Sequence, residues 1–501
     1  MRTSLALCVP LAELPARAAA CAVLFSLACT VACTHSDVAD PCVDADTRNG
    51  VDCQTLYIPP LLTGPEFDLS LAESSVEWSE GVATQTYAYN GQPFWGPTLR
   101  MHKGDDVRMN VTNELMDETT AHWHGFHIPA AMDGGPHQPI ASGSTWSPEF
   151  TVMNDAGMYW YHPHMHMMTA MQLAMGAGGL IYVDDDAEAA LALPRTYGVD
   201  DVPLVLTSRR LGDDGAIDAT AIYGDAMVTN GTMNAEATLP AQFVRLRILN
   251  AEIERSYNLG FSDDRTFWVI GTDGGLLEAP VPVTRLPMAT GERYEILVDL
   301  SGDAPDDTLA LQAYNEGQDF GFPGGEPDQS GEFGSLLNNT TFSVLRIRVT
   351  AANDDAISTL PATLVARDYW TAADATVERT LNITDDGPGT PFSFDDTPYD
   401  ESVINQHVAL DATEQWTIVN NQTFGHAFHI HDVQFHIVAR SGGAVPDYEQ
   451  GWKDTVFLPI DESVRFVARF SDFASATDPY MYHCHMANHE DGGLMGQFVV
   501  E

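Results

Sequence analysis

The chain has 501 residues, of which 71 are Asp or Glu and only 23 are Lys or Arg, giving a formal net charge of −48. This balance argues against binding to nucleic acid or to an anionic membrane surface, because both require basic partners. Apolar residues make up 44% of the chain, enough for several cores, and at ~150 residues per domain we expect about three domains. The acidic surface attracts cations, but it is equally typical of an acidic exported protein.

The N-terminus is typical of an export signal. Arg2 and Arg17 precede an apolar run from Ala18 to Val31, so we assign residues 1–33 to the signal. The run is too short for a convincing membrane-spanning helix, and no transmembrane span is expected. Cys29 and Cys33 follow small residues, which leaves a lipid anchor open. The protein is therefore expected to be periplasmic, outer-membrane-anchored or extracellular.

Residues 34–54 form a polar N-terminal segment that we expect to be poorly ordered. Cys42 and Cys53 flank a short polar loop and can pair in an oxidising compartment. Such a pair would leave Cys484, the only cysteine after Cys53, without a cysteine partner in an exported protein. This indicates that its thiolate is occupied by a metal.

The rest of the chain predicts an all-β fold. Short runs alternate between apolar and polar residues, as in Val107–Val111, Val244–Ile248 and Trp416–Val419. Gly, Pro, Asn and Asp interrupt these runs, and no long helical periodicity is found. The segment Glu316–Gly334 is rich in Gly, Pro and acidic residues and is predicted to be an exposed loop.

A faint internal repeat supports three related β-sandwiches. Segments beginning at Gly104, Gly291 and Ala412 each consist of a turn, an acidic residue and an alternating strand, at about one-domain spacing. The predicted domains are residues 55–190, 191–355 and 356–501. None of the 17 histidines lies between residues 187 and 406, so the middle domain cannot supply imidazole ligands. A histidine metal site would therefore lie between the first and third domains.

Four histidine groups carry the chemical signal. Alternate residues of a strand point to the same face, so each His-x-His pair places two imidazoles side by side. One such pair is weak evidence, but four groups dispersed along the chain are specific. They are His122-Trp123-His124, His162-Pro163-His164, His426-Ala427-Phe428-His429-Ile430-His431 and His483-Cys484-His485 with His489.

The last group can serve two metal sites. On a strand, Cys484 points to one face while His483 and His485 point together to the other. His489 can return to the thiolate side across a turn. One thiolate with imidazoles is a ligand set that favours copper in an electron-transfer site.

At these residues the chain resembles the multicopper oxidases, which include laccases, bilirubin oxidases and cuprous oxidases. The resemblance extends to Asn90–Thr98, Asp273–Leu276 and Gly451–Thr455 and is strongest to bacterial three-domain laccase-like enzymes. It implies three consecutive cupredoxin-like Greek-key β-sandwiches and four copper ions. The implied ligands are His426, Cys484 and His489 for type 1 copper, His122 and His429 for type 2, and His124, His162, His485 and His164, His431, His483 for the two type 3 ions.

Two features leave alternatives open. The position ten after Cys484 is often an axial methionine in the family but is Leu494 here, which cannot coordinate. The resemblance then implies a three-coordinate type 1 copper with a raised potential, unless a one-residue bulge brings Met495 into place. His166 continues the alternation of His162 and His164, but the aromatic run before His162 favours the first two as ligands.

Asp133 and Glu490 match acidic positions beside the ligands in the family and are our candidates for proton relay. Five methionines follow the second histidine group: Met165, Met167, Met168, Met171 and Met175. Their thioethers suit Cu(I), but methionine also fills cores, and we favour core packing.

The leading hypothesis is an exported oxidase that couples one-electron oxidation of phenolic or similar small reductants to four-electron reduction of O₂ to water. One alternative is a metallo-oxidase for Cu(I), Mn(II) or Fe(II) in metal tolerance. An alternative of another class is a non-catalytic copper-binding envelope protein. We expect a monomer whose partners are O₂ and a small-molecule or metal-ion reductant.

Overall fold

A computed structural model describes residues 53–331, 333–384 and 392–501. The predicted all-β class is confirmed: within these ranges the helices are short and the strands form paired sheets. The predicted export signal, Cys29, Cys33 and Cys42 lie outside the described residues. Cys53 is disulfide-bonded. None of the helices in the described ranges is long and apolar enough to span a membrane.

The first sandwich comprises two sheets ordered β2-β5-β11-β10-β7 and β4-β3-β6-β8, with β9 also paired to β6. A two-residue strand, β1 (Gln54–Thr55), precedes the first sandwich in the chain. Its strands are β2 (Leu61–Thr63), β3 (Glu66–Ser79), β4 (Val82–Tyr89), β5 (Thr98–His102), β6 (Asp106–Asn113), β7 (His122–His124), β8 (Thr145–Trp146), β9 (Glu149–Thr151), β10 (Gly157–His162) and β11 (Gly179–Asp184), with a 3₁₀ turn at Ala130–Met132 and helix α1 (Thr169–Ala174).

The middle sandwich follows helix α2 (Asp186–Ala189), and β1 pairs with its strand β15. Its sheets are ordered β1-β15-β23-β22-β17-β20 and β14-β13-β12-β16-β21-β18-β19. The strands are β12 (Asp201–Arg209), β13 (Ala226–Thr229), β14 (Thr232–Met233), β15 (Ala235–Pro240), β16 (Phe243–Asn250), β17 (Tyr257–Phe261), β18 (Phe267–Thr272), β19 (Gly275–Val283), β20 (Leu286–Met288), β21 (Arg293–Asp299), β22 (Thr308–Tyr314) and β23 (Thr341–Thr350).

The third sandwich has sheets ordered β25-β24-β27-β31-β29 and β26-β33-β32-β28-β30. Its elements are β24 (Val377–Thr384), β25 (Ser393–Phe394), β26 (Gln406–Val408), β27 (Thr413–Asn420), β28 (His426–Ile430), β29 (Phe435–Arg440), a 3₁₀ turn at Asp447–Glu449, β30 (Thr455–Leu458), β31 (Ser463–Arg469), β32 (Ser475–Cys484), helix α3 (Ala487–Asp491) and β33 (Met495–Val500).

Each sandwich is held by its own apolar core, as the alternating pattern predicts. The alternating runs named from the sequence lie in β6, β16 and β27, and their apolar members are buried except Val419, which is partly buried. A further cluster, which includes Trp95, Trp160 and Leu249, joins the first and middle sandwiches, and Ala487 of the third also contributes. The sandwiches therefore share buried surface close to the histidine motifs.

The internal repeat was assigned wrongly in the middle sandwich. β6 and β27 each pair in parallel with an earlier strand, β3 and β24. The middle strand with that pairing is β16, which lies parallel to β12, whereas the segment after Gly291 is β21, an antiparallel neighbour of β16. Many strands in these sandwiches follow a turn and alternate between apolar and polar residues. The pattern therefore does not identify which position a strand takes in its sheet.

An imidazole connects the first and third sandwiches. His127 Nδ1 lies 2.8 Å from Asp432 Oδ1, and its Nε2 lies 3.1 Å from Asp472 Oδ2. Burial opposes the charge on this ring, but the Asp432 carboxylate and hydrogen bonds to both acids raise the pKa of His127 to about 9. The protonated ring therefore links two carboxylates across the interface.

We expect this link to stabilise the protein in a pH-dependent way. Its contribution is fully present below the ordinary histidine pKa of about 6.5 and is lost as the pH rises through about 9. His127→Gln should lower the melting temperature at pH 6, by an amount equivalent to on the order of 2 kcal/mol, and have little effect near pH 10. The exposed His407→Gln is the matched control. An effect of His127→Gln that is equal at both pH values would contradict the ionic link.

Candidate metal centre

Strand pairing brings the histidine motifs into register. In the first sandwich β7 pairs with β10, so that His122 lies opposite His162. In the third sandwich β28 pairs with β32, so that His429 lies opposite His483 and Phe428 lies opposite Cys484. Each pairing therefore combines two motifs that are distant in sequence.

The four motifs converge into two buried sets, which we name the histidine cluster and the thiolate group. Within each ligand group the candidate ligand atoms lie within 4.8 Å of one another. The histidine cluster comprises His122, His124 and His429; His124, His162 and His485; and His164, His431 and His483. The thiolate group comprises His426, Cys484 and His489.

One group in the cluster shows why a cation fits. His164 Nε2 and His431 Nε2 lie 3.1 and 3.3 Å from His483 Nε2. The Nδ1 atom of His483 lies 3.0 Å from the Cys484 carbonyl, and that of His431 lies 2.7 Å from Asp133 Oδ2. These contacts assign the ring proton to Nδ1, so the facing Nε2 atoms present lone pairs. Lone pairs this close repel unless a cation lies between them.

The other side of the cluster repeats this arrangement. His124 Nε2 lies 3.1 Å from Asp454 Oδ1, which leaves its Nδ1 facing His162 Nε2 at 3.4 Å and His485 Nε2 at 3.2 Å. His122 uses Nδ1 to contact the Asp133 carbonyl at 3.0 Å, and its Nε2 has no hydrogen-bond partner in the described residues. Its free nitrogen is therefore available to a metal ion.

Burial favours the neutral form of most rings in the cluster. It lowers the pKa of His485 to about 3 and that of His431 to about 4, although Asp133 opposes the shift for His431. The pKa of His124, His162 and His483 is also well below its ordinary value, first through burial and then through neighbouring rings. Neutral imidazole is the form that binds metal ions.

The thiolate group lies on the opposite face of β32. Cys484 Sγ is 3.5 Å from His426 Nδ1 and 3.7 Å from His489 Nδ1, and these two nitrogens are 3.2 Å apart. Burial raises the pKa of the Cys484 thiol to about 12, so a cation is required to hold it as a thiolate at neutral pH. The ring of Phe392 packs against both histidines, with centroids 4.8 and 4.5 Å away.

The register of the last strand separates Leu494 from Met495. Met495 pairs with His483 in β32, and directly paired residues point to the same face of a sheet. Met495 therefore shares the face of His483, opposite to that of Cys484. Leu494 is fully buried and belongs to the same apolar cluster as Cys484. No register shift separates the strands at Met495, which disfavours the bulge.

Asp133 lies where the sequence predicts, beside the cluster. It is 2% exposed and contacts His431 through Oδ2, while its Oδ1 lies 3.4 Å from His122 Nδ1. Burial raises the pKa of Asp133, but His431 and His122 more than offset this, and the pKa falls well below its ordinary range. Gly134 has φ +82°, and a Cβ there would lie 1.9 Å from the Ala121 carbonyl, so only glycine allows this turn.

Glu490 lies at the far side of the same group. Its Oε1 is 3.2 Å from His164 Nδ1 and its Oε2 is 3.3 Å from His483 Nδ1. The Thr169 hydroxyl donates to Oε1 at 2.7 Å. Burial raises the pKa of Glu490 well above its ordinary value, Asp491 raises it further, and Thr169 opposes the shift. Glu490 can therefore hold a proton next to two cluster histidines.

Sequence reasoning missed two contributions from the middle sandwich. Arg293 forms a buried ion pair with Asp454, which contacts His124. Glu254 Oε2 lies 3.9 Å from His489 Nε2, and burial raises the pKa of Glu254 to about 8. The segments Asp273–Leu276 and Gly451–Thr455 were noted only for their resemblance, because charged residues in an acidic chain give no sign of burial.

Two other sequence interpretations can be compared with the structure. His166 belongs to none of the ligand groups and contacts Tyr399, with ring centroids 5.1 Å apart. Core packing of the methionine run is wrong: Met167 is 71% exposed, and the other four are only partly buried. Helix α1 buries Thr169, Ala170 and Leu173 instead, while Met171 and the capping residues Met168 and Met175 are only partly buried.

The comparisons with known proteins agree with this geometry. Family profiles described as multicopper oxidase match residues 70–188, 206–321 and 372–501. The cell division protein FtsP of Xenorhabdus nematophila is 32% identical over 454 residues, covering 89% of this chain and 92% of that protein.

Solved structures give the same fold. The laccase-like multicopper oxidase CueO of the lignin-degrading bacterium Ochrobactrum sp. is 32% identical, with a TM-score of 0.79, covering 89% of this chain and all of the other. The multicopper oxidase of Campylobacter jejuni, described as a metallo-oxidase, is 25% identical, with a TM-score of 0.76, covering 89% and 95% of the two chains. The three sandwiches are therefore cupredoxin-like, and the chain belongs to the multicopper oxidase family.

Proposed function

We propose that the protein is a laccase-like oxidase that couples one-electron oxidation of small reductants to reduction of O₂ to water. The observation that carries this proposal is the convergence of ten histidines and one cysteine into the histidine cluster and the thiolate group. A single strand, β32, and the residue after it connect the two sets, because Cys484 lies between His483 and His485.

The donor sets fit copper. Two nitrogens with one sulfur suit the type 1 ion, and the eight imidazoles of the histidine cluster suit one type 2 and two type 3 ions. When bound, four coppers would accept single electrons from a donor and deliver four of them to O₂. The proposed ligands are those implied by the sequence: His426, Cys484 and His489 for type 1; His122 and His429 for type 2; and His124, His162, His485, His164, His431 and His483 for type 3.

The chain supplies the path between the two sets. Cys484 is joined by its backbone to His483 on one side and to His485 on the other. The covalent path from the sulfur to either imidazole therefore crosses a single peptide bond. On the donor side, His489 is the partly exposed member of the thiolate group, with 10% of its side chain accessible.

Protons for O₂ reduction would come from the two buried acids. Burial raises the pKa of Glu490 well above its ordinary value and so favours its protonated form, and Glu490 contacts His164 and His483. Asp133 contacts His431 and His122 from the other side. We propose both as proton relay residues, since each bridges two histidines of the cluster.

A second candidate function is oxidation of Cu(I). Met167 is exposed just before α1 and Met171 within α1 is partly buried. Helix α1 is anchored on α3, because the Asp491 carboxylate accepts from the backbone N–H groups of Thr169 and Ala170. Thioethers beside α3, the helix that carries His489, suit a cuprous donor. A third candidate is a copper-binding protein without oxidase turnover, because the chain is also similar to the cell division protein FtsP. On the sequence evidence, we propose that the protein is exported and monomeric.

Oxygen uptake by copper-loaded protein tests these candidates. We expect uptake with a phenol, and faster uptake with Cu(I) would favour the cuprous activity. Cys484→Ser should abolish the visible copper–thiolate band. It should also abolish uptake with either donor, because the type 1 copper would then lack the thiolate ligand that connects it to the histidine cluster. Absence of uptake by the unchanged protein with both donors would favour the non-catalytic candidate.

Leu494→Met tests the axial position. We expect a lower type 1 reduction potential, because a thioether stabilises the oxidised ion. Redox titration of the visible band measures the potential. Met495→Leu is the matched control and should leave the potential unchanged, since Met495 shares the face of His483. The reverse result would show that Met495 is the axial residue.

A further inference from the structure

We infer that Arg293 of the middle sandwich is a positioning residue for the histidine cluster, acting through Asp454 on His124 and His429. The inference rests on the proposed function, because it assumes that these rings bind copper. It assigns a role in the centre to the sandwich that supplies no ligand.

The contact between Arg293 and Asp454 is a two-point ion pair. Nη1 donates to Oδ1 and Nη2 to Oδ2, each at 2.6 Å, and both side chains are at most 1% exposed. Parallel hydrogen bonds of this kind fix the plane of the carboxylate as well as its position. The neighbouring Gly125 has φ +84°, and a Cβ there would lie within 2.7 Å of Asp454 Oδ2 and Arg293 Nη2. Glycine at position 125 therefore leaves room next to His124 for the ion pair between Arg293 and Asp454.

The fixed carboxylate holds two rings of the cluster. Asp454 Oδ1 accepts from His124 Nε2 at 3.1 Å and from the Thr455 hydroxyl at 3.0 Å. The Asp454 carbonyl accepts from His429 Nδ1 at 2.8 Å. Asp454 thereby sets the tautomer and orientation of His124 and His429, whose remaining nitrogens point into the cluster.

The guanidinium is itself rigidly anchored. Arg293 Nη2 donates to the Asp273 carbonyl at 2.9 Å and Nη1 to the Gly291 carbonyl at 3.1 Å. Asp273 Oδ2 accepts from the backbone N–H groups of Asp454 and Thr455 at 3.3 and 3.2 Å. Groups of the middle sandwich therefore hydrogen-bond to both the side chain and the backbone of Asp454. A lysine in place of Arg293 cannot reproduce the two parallel hydrogen bonds of the planar guanidinium.

The effect should be confined to one side of the cluster. His164, His431 and His483 are oriented by Asp133 and Glu490, which belong to the first and third sandwiches. Within the described part of the chain, Arg293 makes no hydrogen bond or ion pair to the thiolate group. Loss of the fork should therefore disturb the copper sites of His124 and His429 and spare the type 1 site.

The test compares copper-loaded wild type, Arg293→Lys and the matched control Arg247→Lys. Arg247 makes an equally buried two-point pair with Asp201, at 2.7 and 2.9 Å, in the same sheet but outside the ligand groups. We expect Arg293→Lys to alter the type 2 electron paramagnetic resonance spectrum and to weaken copper retention against a chelator about 10- to 100-fold, with the visible thiolate band unchanged. Arg247→Lys should lower the melting temperature but keep the wild-type spectrum.

An unchanged type 2 spectrum and retention in Arg293→Lys would overturn the inference, as would the same loss in Arg247→Lys. If Arg293→Lys does not fold, Asp454→Asn decides, because the amide can still accept from His124 Nε2 through its one oxygen but cannot accept from both guanidinium nitrogens of Arg293. An altered type 2 spectrum then supports the inference and an unaltered one overturns it. A wild type that binds copper at the thiolate group alone would instead refute the proposed function, and the inference with it.

Discussion

The structure depends on one electrostatic constraint: neutral imidazoles from the first and third sandwiches meet with their lone pairs facing one another at 3.1–3.4 Å. Hydrogen bonds to carbonyls and carboxylates direct the ring protons outward, so no proton remains to bridge the facing nitrogens. Such a cluster is stable only around cations, and its formation requires both outer sandwiches. Metal binding at the cluster would therefore require the interface between the outer sandwiches to be assembled.

The buried acids follow from the same constraint. Asp133 and Glu490 each contact two histidines of the cluster, and both are buried. A carboxylate in this position orients the rings and also holds or releases a proton next to them. Their opposite pKa shifts arise because Asp133 faces ring N–H groups, whereas burial and Asp491 dominate at Glu490.

The middle sandwich is more than a spacer between the outer two. It contributes Arg293 behind the histidine cluster and Glu254 beside the thiolate group, both from the buried ends of its strands and turns. Met167, just before α1, adds an exposed thioether to the first sandwich. The nature of the electron donor depends on these surroundings rather than on the ligands.

The sequence by itself determined the fold class, because alternation along a strand is local. His-x-His spacing, together with the resemblance to the family, also named the residues that the structure brings together in the histidine cluster and the thiolate group. The sequence could not determine which strand of the middle sandwich repeats β6 and β27, since many strands share one pattern. Nor could it show that Met167 is exposed and that the other four methionines of the run are only partly buried, because burial depends on contacts with distant segments. Only the tertiary structure decided that Arg293, Asp454 and Glu254 lie at the centre: a charged residue in an acidic chain acquires meaning from its burial and its partner, and both arise from contacts between distant segments.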